Sequence, residues 1–431
     1  MKRCILLLAV FASFVTNAQI ASGPMLGYVE MREALIWVQT EQPTEIILEY
    51  APIQGKRELY TLSMETSSNQ ANVAKFILPY LEPGTQYQYR LKVNGEYTSK
   101  EAYTFSTQAL WQYRTDPPAF TFATGSCAYI NEEKYDRPGD PYGGNYEIFP
   151  SIAAKQPDMM LWLGDNIYLR DPDWGSKSGI YHRYSHMRAL PELQALWSTC
   201  PHYAIWDDHD FGPNDADRSF IHKDWTLEAF ELFWGNPSYG LPGMPGITSQ
   251  FSFVDVDFFL MDNRYFRSNY ELNSENHQIW GEEQVDWLIE ALKYSKAPYK
   301  FVATGGQFLS DAPLYENHAQ YPEERAEVIR RIADERIKGV VFLTGDRHHT
   351  ELSKLTFPNG IDVYDLTVSP LTSKSYDHSQ EPNTLRVENT IVGQRNFATV
   401  TVDGPRKERK LTIRCFDSEG RELWNEEIER D

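Results

Sequence analysis

Long apolar runs are scarce in this chain. The one that stands out, Ile5 to Val15, lies between Lys2-Arg3 and Thr16-Asn17-Ala18. It is too short for a bilayer-spanning helix, which needs roughly 20 apolar residues. A basic start, an apolar stretch and small residues after it predict a secretory signal peptide over residues 1–18, cut before Gln19. Lys2-Arg3 is not a twin-arginine pair, so the ordinary secretory route is expected. The remaining chain has no transmembrane segment by sequence and is expected outside the cytoplasm, periplasmic or extracellular. Positive charge is also short: 41 Lys and Arg face 61 Asp and Glu, a net charge of −20. That excludes recruitment of nucleic acid or an anionic bilayer by long-range attraction. An acidic protein that handles phosphate needs local cations. Cysteine is rare as well. Cys4 leaves with the signal, and Cys127, Cys200 and Cys415 remain, an odd number in an oxidising compartment. At least one thiol is therefore unpaired or otherwise engaged. Internal repeats and low-complexity tracts are missing, and nothing in the sequence fixes an oligomeric state.

What is present divides in two. With 431 residues, 41% of them hydrophobic, the chain can bury two cores. From about residue 24 to 107, short runs alternate apolar and polar residues, as in Ala34-Leu35-Ile36-Trp37-Val38 and Tyr87-Gln88-Tyr89-Arg90-Leu91. Turn residues separate them, which predicts a small antiparallel sandwich over 19–110. The stretch "LEPGTQYQYRLKVNG" resembles the Pro-Gly-Thr-x-Tyr corner of fibronectin type III domains. Residues 111–118 read as a linker, because Pro117 and Pro118 join neither helix nor sheet ladder. From 119 to 431 five apolar runs each end in a polar cluster: "FTFATGSC", "DMMLWLGDN", "YAIWDDHD", "KFVATGGQ" and "VVFLTGDRHH". Helical patterns over 283–295 and 323–338 fall between or beside them. Continuous apolar strands alternating with helices predict an α/β fold, with sheets covered on both faces. Phe251 to Met261 and Ala398 to Glu426 are expected to add strands at sheet edges.

Functional residues of open α/β sheets gather beyond the carboxyl ends of the strands. All five runs deliver candidate metal ligands there: Cys127; Asp165 with Tyr168; Asp207, Asp208, His209 and Asp210; Gln307; Asp346 with His348 and His349. A lone Gly-Asp reads as a capping turn, but five such endings do not. Several carboxylates in one cleft raise each other's pKa, a cost that a bound metal removes.

The motifs "GSC" at 125–127, "GDNIY" at 164–168, "WDDHDF" at 206–211, Gly-Gly-Gln at 305–307 and "GDRHH" at 345–349 resemble, in this order, the PhoD-like alkaline phosphatases. That family lies among the calcineurin-like metallophosphoesterases, which also include purple acid phosphatases. The resemblance spans about 119 to the C-terminus. It implies a metallophosphoesterase-type β-sheet sandwich flanked by helices, and the family also carries a β-sandwich ahead of it. Cys127 as thiolate, Tyr168 as phenolate, Asp165 and His348 carry much negative charge, which suits ferric iron. The Asp-x-x-Tyr spacing is similar to the one purple acid phosphatases use for a bridging carboxylate and an iron-bound phenolate. On the other side, Asp208, Asp346, shared Asp165 and Gln307 are oxygen donors, which suit calcium or magnesium. Related enzymes place asparagine and two histidines at those positions, so the replacements shift the preference toward calcium, and the resemblance implies an iron–calcium site. With Cys127 on iron, Cys200 and Cys415 are free or paired; a disulfide from Cys127 is the alternative.

By analogy with a Gly-Asn-His motif, His209 is expected to protonate the leaving alkoxide or to stabilise phosphoryl charge, with Asp210 orienting it. Asp207 and His349 are supporting residues. Asn214 either meets the phosphate or a metal, or is a turn residue. Arg170, Arg188 and Arg264 are the candidate substrate cations, and "MDNRYFR" resembles the family's Asp-x-Arg segment. The expected activity is phosphomonoester hydrolysis of a small substrate by a solvent-derived hydroxide held between two metals. The alternatives are a phosphodiesterase or phospholipase D-type hydrolase and, from another class, a non-catalytic exported surface-binding protein.

Overall fold

The computed structural model describes residues 19–55, 58–136, 138–272 and 277–429; the signal-peptide reading over 1–18 lies outside them. Two six-stranded sheets form the larger part of the fold. In the first, the strands run in the order His202–Ile205, Met159–Leu163, Phe120–Gly125, Asn396–Asp403, Lys410–Asp417, Glu422–Glu429. In the second the order is Ser249–Phe253, Val256–Leu260, Lys300–Ala303, Val340–Thr344, Asp362–Thr367, Glu351–Thr356. All five expected runs are strands, and within each sheet those that neighbour one another pair in parallel. Their carboxyl ends therefore share one side of each sheet.

The sheets pack face to face through aromatic contacts. Phe122 of the first meets Phe258 and Phe301 of the second at centroid distances of 5.3 and 5.0 Å. Helices cover both outer faces. Glu282–Tyr294 and Pro322–Asp334 lay Leu288, Leu292, Val328 and Ile332 over Val302 and Phe342. On the other side, Ile148–Ala154 and Pro191–Thr199 enclose Trp162, whose ring meets Phe149 and Trp197. The result is a mixed α/β architecture of two layered sheets between helices.

One strand placement differs from the sequence reading. Asn396–Asp403 is interior, pairing Phe120–Gly125 on one side and Lys410–Asp417 on the other. Of the three strands in this C-terminal segment, Glu422–Glu429 alone lies at an edge of the sheet. The alternation that suggested an edge comes from threonines in a buried strand: Thr399 is buried, and Thr401 shares a 2.8 Å hydroxyl hydrogen bond with Thr121. Such pairing satisfies hydroxyls inside a sheet without water.

The N-terminal strands form two small sheets. Ile20–Val29, Ala34–Thr40 and Val73–Leu78 make one; Tyr60–Glu65, Glu45–Pro52, Gln86–Val93, Glu96–Tyr97 and Tyr103–Ser106 make the other. Ile36, Val38, Leu48, Phe76 and Leu91 fill the space between them. At the Pro83-Gly84 corner, the Glu82 N–H donates to the Tyr87 hydroxyl at 2.9 Å, so this tyrosine does pin the turn. Pro117 and Pro118 lie in neither strand nor helix, and the buried Arg409 donates to both of their carbonyls, at 3.3 and 2.9 Å.

The three-stranded sheet is buried on both faces. Its outward residues Met25, Tyr28, Leu35 and Trp37 join the core of the large sheets. Trp37 donates its indole N–H to the Leu232 carbonyl at 3.0 Å, and the Tyr28 N–H donates to the Gly235 carbonyl at 2.8 Å. Gly235 allows that approach, since a side chain there would stand 2.6 Å from the Gly27 Cα. Trp37→Ala is therefore expected to cost about 3–5 kcal/mol of stability, as for other large core truncations. Urea unfolding of the full chain measures it; a loss below 1 kcal/mol would mean that this shared core is loosely packed.

Candidate metal centre

The sequence places its polar clusters one to three residues past the strands, where the backbone must turn sharply. Cys127, Asp165, Asp346 and His348 all adopt left-handed conformations, with φ of 60°, 49°, 66° and 53°. Each costs roughly 1–3 kcal/mol in a non-glycine residue, so the surrounding core must enforce it. Glycine permits the close approach of the loops. A side chain at Gly164, itself at φ 89°, would stand 2.8 Å from the Asp207 Cβ. One at Gly345 would lie 2.7 Å from the Leu163 carbonyl and 2.6 Å from the Ser126 Cβ. The first contact joins neighbouring loops of the first sheet, and the second brings the ends of the two sheets together.

Asp165 sits at the junction. Its Oδ2 accepts from the Tyr168 hydroxyl at 3.1 Å and lies 3.5 Å from the Cys127 sulfur, while Oδ1 accepts from the His209 N–H at 3.3 Å. The His348 Nε2 is 3.4 Å from the Tyr168 oxygen. Among the described residues four sets of donor atoms each lie within 4.8 Å of one another: Cys127, Asp165 and His348; Asp165, Asp208 and His209; Asp207, Asp208 and Asp346; and Asp208, Asp215 and Glu316. Asp165 and Asp208 link them into one continuous cluster. Cys127 is a buried free thiol, as are Cys200 and Cys415, so the disulfide alternative for Cys127 does not hold.

The electrostatics of the cluster call for a cation. Burial, followed by repulsion from Asp208, Asp207 and Asp346, pushes Asp165 well above the usual carboxylate range. Asp346 is raised in the same way, by burial and then by Asp207 and Asp208. Burial also raises the Cys127 thiol and the Tyr168 phenol, each with Asp165 as the next contributor. Asp208 goes the other way: burial works against its charge, but His209 and Arg264 hold it below the ordinary value. Asp208 Oδ1, Asp207 Oδ2 and His209 Nδ1 are buried without a hydrogen-bond partner. Orphaned acceptors among mutually repelling acids are what a cation relieves, and a bound cation reverses each upward shift. The donor set fits metal.

Several expected site residues lie elsewhere. Asp210 does not touch the His209 side chain. Its carboxylate accepts from the Asn166 and Asp207 N–H groups at 3.0–3.2 Å, capping the short Asp208–Phe211 helix and tying it to the Asp165 loop. Gln307 is turned away: its carboxamide donates to Glu351 and Thr367 and accepts from Arg347 at 2.6 Å. Arg264 is buried and committed to Asp207, with Glu316 at 3.2 Å. Arg188 is sealed under Trp197 and Trp234 and donates to the Phe233 carbonyl. The Arg170 guanidinium lies 6.0 Å from the Tyr129 ring centre and does not line the cleft. Asn214 does line it, beside Asp165, Asp208, His209, Asp346 and His348. His349 is buried, with its Nε2 3.6 Å from Glu351, and does not line the cleft.

The cleft measures about 480 Å³ and has walls the motifs did not announce: Asp215, Glu316, Arg347, His378 and four tyrosines. Arg347 was within reach of a sequence reading, since it sits inside "GDRHH". Glu316 and Tyr315 carry no local signal; their left-handed φ of 60° and 48° appear only in the fold.

Comparison with known proteins agrees with this geometry. Residues 245–407 match the sequence model of the PhoD-like phosphatases, and residues 17–109 match a domain of unknown function, DUF7800. Alkaline phosphatase D of Bacillus subtilis (strain 168) is 25% identical over 324 residues, covering 64% of this chain and 53% of that protein. The chain thus spans about half the length of this curated relative. Among solved structures, one of PhoD superposes with a TM-score of 0.77 at 18% identity, covering 96% of this chain and 93% of the other. A purple acid phosphatase, PPD1 from yellow lupin (Lupinus luteus), superposes with a TM-score of 0.67 at 13% identity, covering 95% and 74%. Motif order, matched segment and curated relative make the chain similar to the PhoD-like phosphatases, and it shares its fold with the structures of PhoD and of the lupin purple acid phosphatase.

Proposed function

We propose that this chain is an exported, metal-dependent phosphoesterase that hydrolyses phosphomonoesters. The observation that carries the reading is the convergence of Cys127, Asp165, Tyr168 and His348 on one side of a shared carboxylate, with Asp208 and Asp346 on the other. The first set, with two anionic soft or polarisable donors and an imidazole, suits ferric iron. The second, all carboxylate, suits calcium, or magnesium in its place. Asp165 lies within reach of Cys127 and His348 on one side and of Asp208 on the other, so its carboxylate would serve a cation in either set. When bound, the cations supply Lewis-acid activation of water and neutralise phosphate charge.

The remaining roles belong to the protein. His209 lines the cleft with its ring tilted against Tyr168, 4.2 Å between centroids and 34° between planes, and its Nε2 4.0 Å from Asp208. Burial lowers its pKa, which leaves a neutral ring with one N–H to offer a phosphoryl or leaving oxygen. Asp207, held by Arg264 and by the Asn263 amide at 2.8 Å, caps the helix that carries Asp208 and His209. Hydrolysis breaks the bond between phosphorus and the leaving oxygen, forms one from phosphorus to a water oxygen, and returns a proton to the alcohol. Export rests on the sequence of residues 1–18. Among the described residues no helix is long and apolar enough to cross a membrane.

The test is nitrophenol release from a phosphomonoester and a phosphodiester by the purified protein, with calcium present and metal content measured. The monoester is expected to be cleaved faster; a faster diester would move the assignment to a phosphodiesterase. Asp165→Asn should lower the rate roughly a thousandfold and also deplete bound metal. Wild-type rates in that variant would remove Asp165 from the centre. Tyr168→Phe should abolish any visible phenolate-to-iron absorption, and colour that survives it would free Tyr168 from the iron. His209→Ala should slow turnover about 100-fold or more with iron content retained; loss of metal in that variant would make His209 a ligand instead of a proton donor.

A further inference from the structure

The mouth of the cleft is rimmed by tyrosine. Tyr142, Tyr270, Tyr315 and Tyr376 line it, and the last three keep 37%, 63% and 42% of their surface exposed. Two of these rings are firmly placed. Tyr376 lies parallel to His348, with 5.7 Å between centroids and 12° between planes. Tyr315 has the Arg347 guanidinium 4.9 Å from its centre and meets His378 edge-on at 5.9 Å. Tyr315 and Glu316 are consecutive left-handed residues, a conformation uncommon for one non-glycine residue and rarer for two. Glu316 anchors that turn through Arg264 at 3.2 Å and Arg267 at 3.1 Å. The turn thus holds Tyr315 over the cleft while most of its surface stays in water.

Charge narrows what such a rim can accept. Arg347 is the one lysine or arginine among the described residues that line the cleft, and its guanidinium donates to Gln307 and to both Glu381 oxygens. Asp215 and Glu316 line the same wall. A second phosphate on the leaving group would meet carboxylates and no unengaged cation. A neutral flat ring would meet aromatic faces, on which planar groups stack regardless of their exact identity.

We propose that the tyrosine rim is a specificity site for phosphomonoesters whose neutral leaving alcohol carries a flat aromatic ring, a nucleoside or an aryl-bearing alcohol. This rests on the phosphoesterase reading above. Two substrate pairs test it, each with a matched leaving oxygen: adenosine 5′-monophosphate against ribose 5-phosphate, and 2-phenylethyl phosphate against 2-cyclohexylethyl phosphate. The aromatic member of at least one pair is expected to have a kcat/KM roughly tenfold higher or more, the scale of one stacked ring. A preference in the first pair alone assigns the rim to nucleosides, and in the second alone to aryl alcohols. The ratio should fall toward one in Tyr315→Ala/Tyr376→Ala and persist in Tyr315→Phe/Tyr376→Phe, which keeps the rings. Ratios near one in both wild-type pairs, or a ratio that survives the double alanine variant, would overturn the inference. Release of phosphate from none of the four substrates would instead overturn the phosphomonoesterase reading on which the inference rests.

Discussion

The mutual repulsion of buried carboxylates is the constraint on which the rest of this structure depends. Asp165, Asp207, Asp208 and Asp346 are drawn from three separate loops into one cluster, and burial removes the water that would screen them. Each is handled differently. Asp207 is neutralised from within by Arg264 and used as a helix cap. Asp208 is held anionic by its neighbours, with Oδ2 accepting the Asp215 N–H at 2.7 Å and Oδ1 without a hydrogen bond, 3.7 Å from the Arg264 guanidinium. Asp165 and Asp346 have no comparable cation and are driven toward the protonated state. The fold supplies counter-charge to part of the cluster and leaves the rest to a metal.

Holding such a cluster together requires a scaffold that does not relax. The four left-handed positions store strain of the same order as the net stability of a small domain. Two sheets packed on each other and sealed by helices can bear it, because their interiors are close to solid packing and loop ends anchored on them have little freedom. The N-terminal sandwich contributes to this scaffold. Its Met25, Tyr28, Leu35 and Trp37 extend the same core, and Ser22 and Gln39 bond directly to Arg188 and Ser185. It is a third layer of the scaffold beneath the acidic cluster as much as an appended module.

How much of this was legible in the sequence follows from which physical signals are local. The strands before Cys127, Asp165, Asp207 and Asp346 were legible, because a continuous apolar run is a local signal and a Gly-Asp ending has a mechanical reason. The direction of each side chain was not. Gln307 follows a strand as the others do, yet a buried Arg347–Glu351–Thr367 network captures its carboxamide, and that network joins residues 40 or more positions apart. Asp210 was taken to orient its neighbour His209, but it lies in the first turn of a four-residue helix, where its carboxylate reaches back to the cap. Arginine was misread for a similar reason. Charge alone suggested solvent or substrate, whereas Arg188 and Arg264 are among the most deeply buried side chains in the fold. The rim tyrosines come from four distant segments, and nothing in any one segment marks them.

Arginine bears on how an acidic protein could hold a phosphate at all. Phosphate sites are commonly built from guanidinium forks, since their geometry matches the oxygens. Here the candidate forks are taken: Arg264 by Asp207 and Glu316, Arg347 by Gln307 and Glu381, Arg188 by a carbonyl beneath three tryptophans. Arg264 and Arg347 are thus spent on carboxylates and a carboxamide of the protein itself, and Arg188 and Arg170 lie outside the cleft. A dianionic substrate approaching Asp208, Asp215, Glu316 and Asp346 would be repelled by the bare protein, and attraction has to come from metal charge placed among those same acids. Under the proposed function, binding of metal and binding of phosphate would be coupled by charge: the carboxylates that repel one would be the ligands of the other. It follows that the acidic composition, which argues against attraction of phosphate at long range, is compatible with phosphate chemistry at short range, where a multivalent cation outweighs the carboxylates around it.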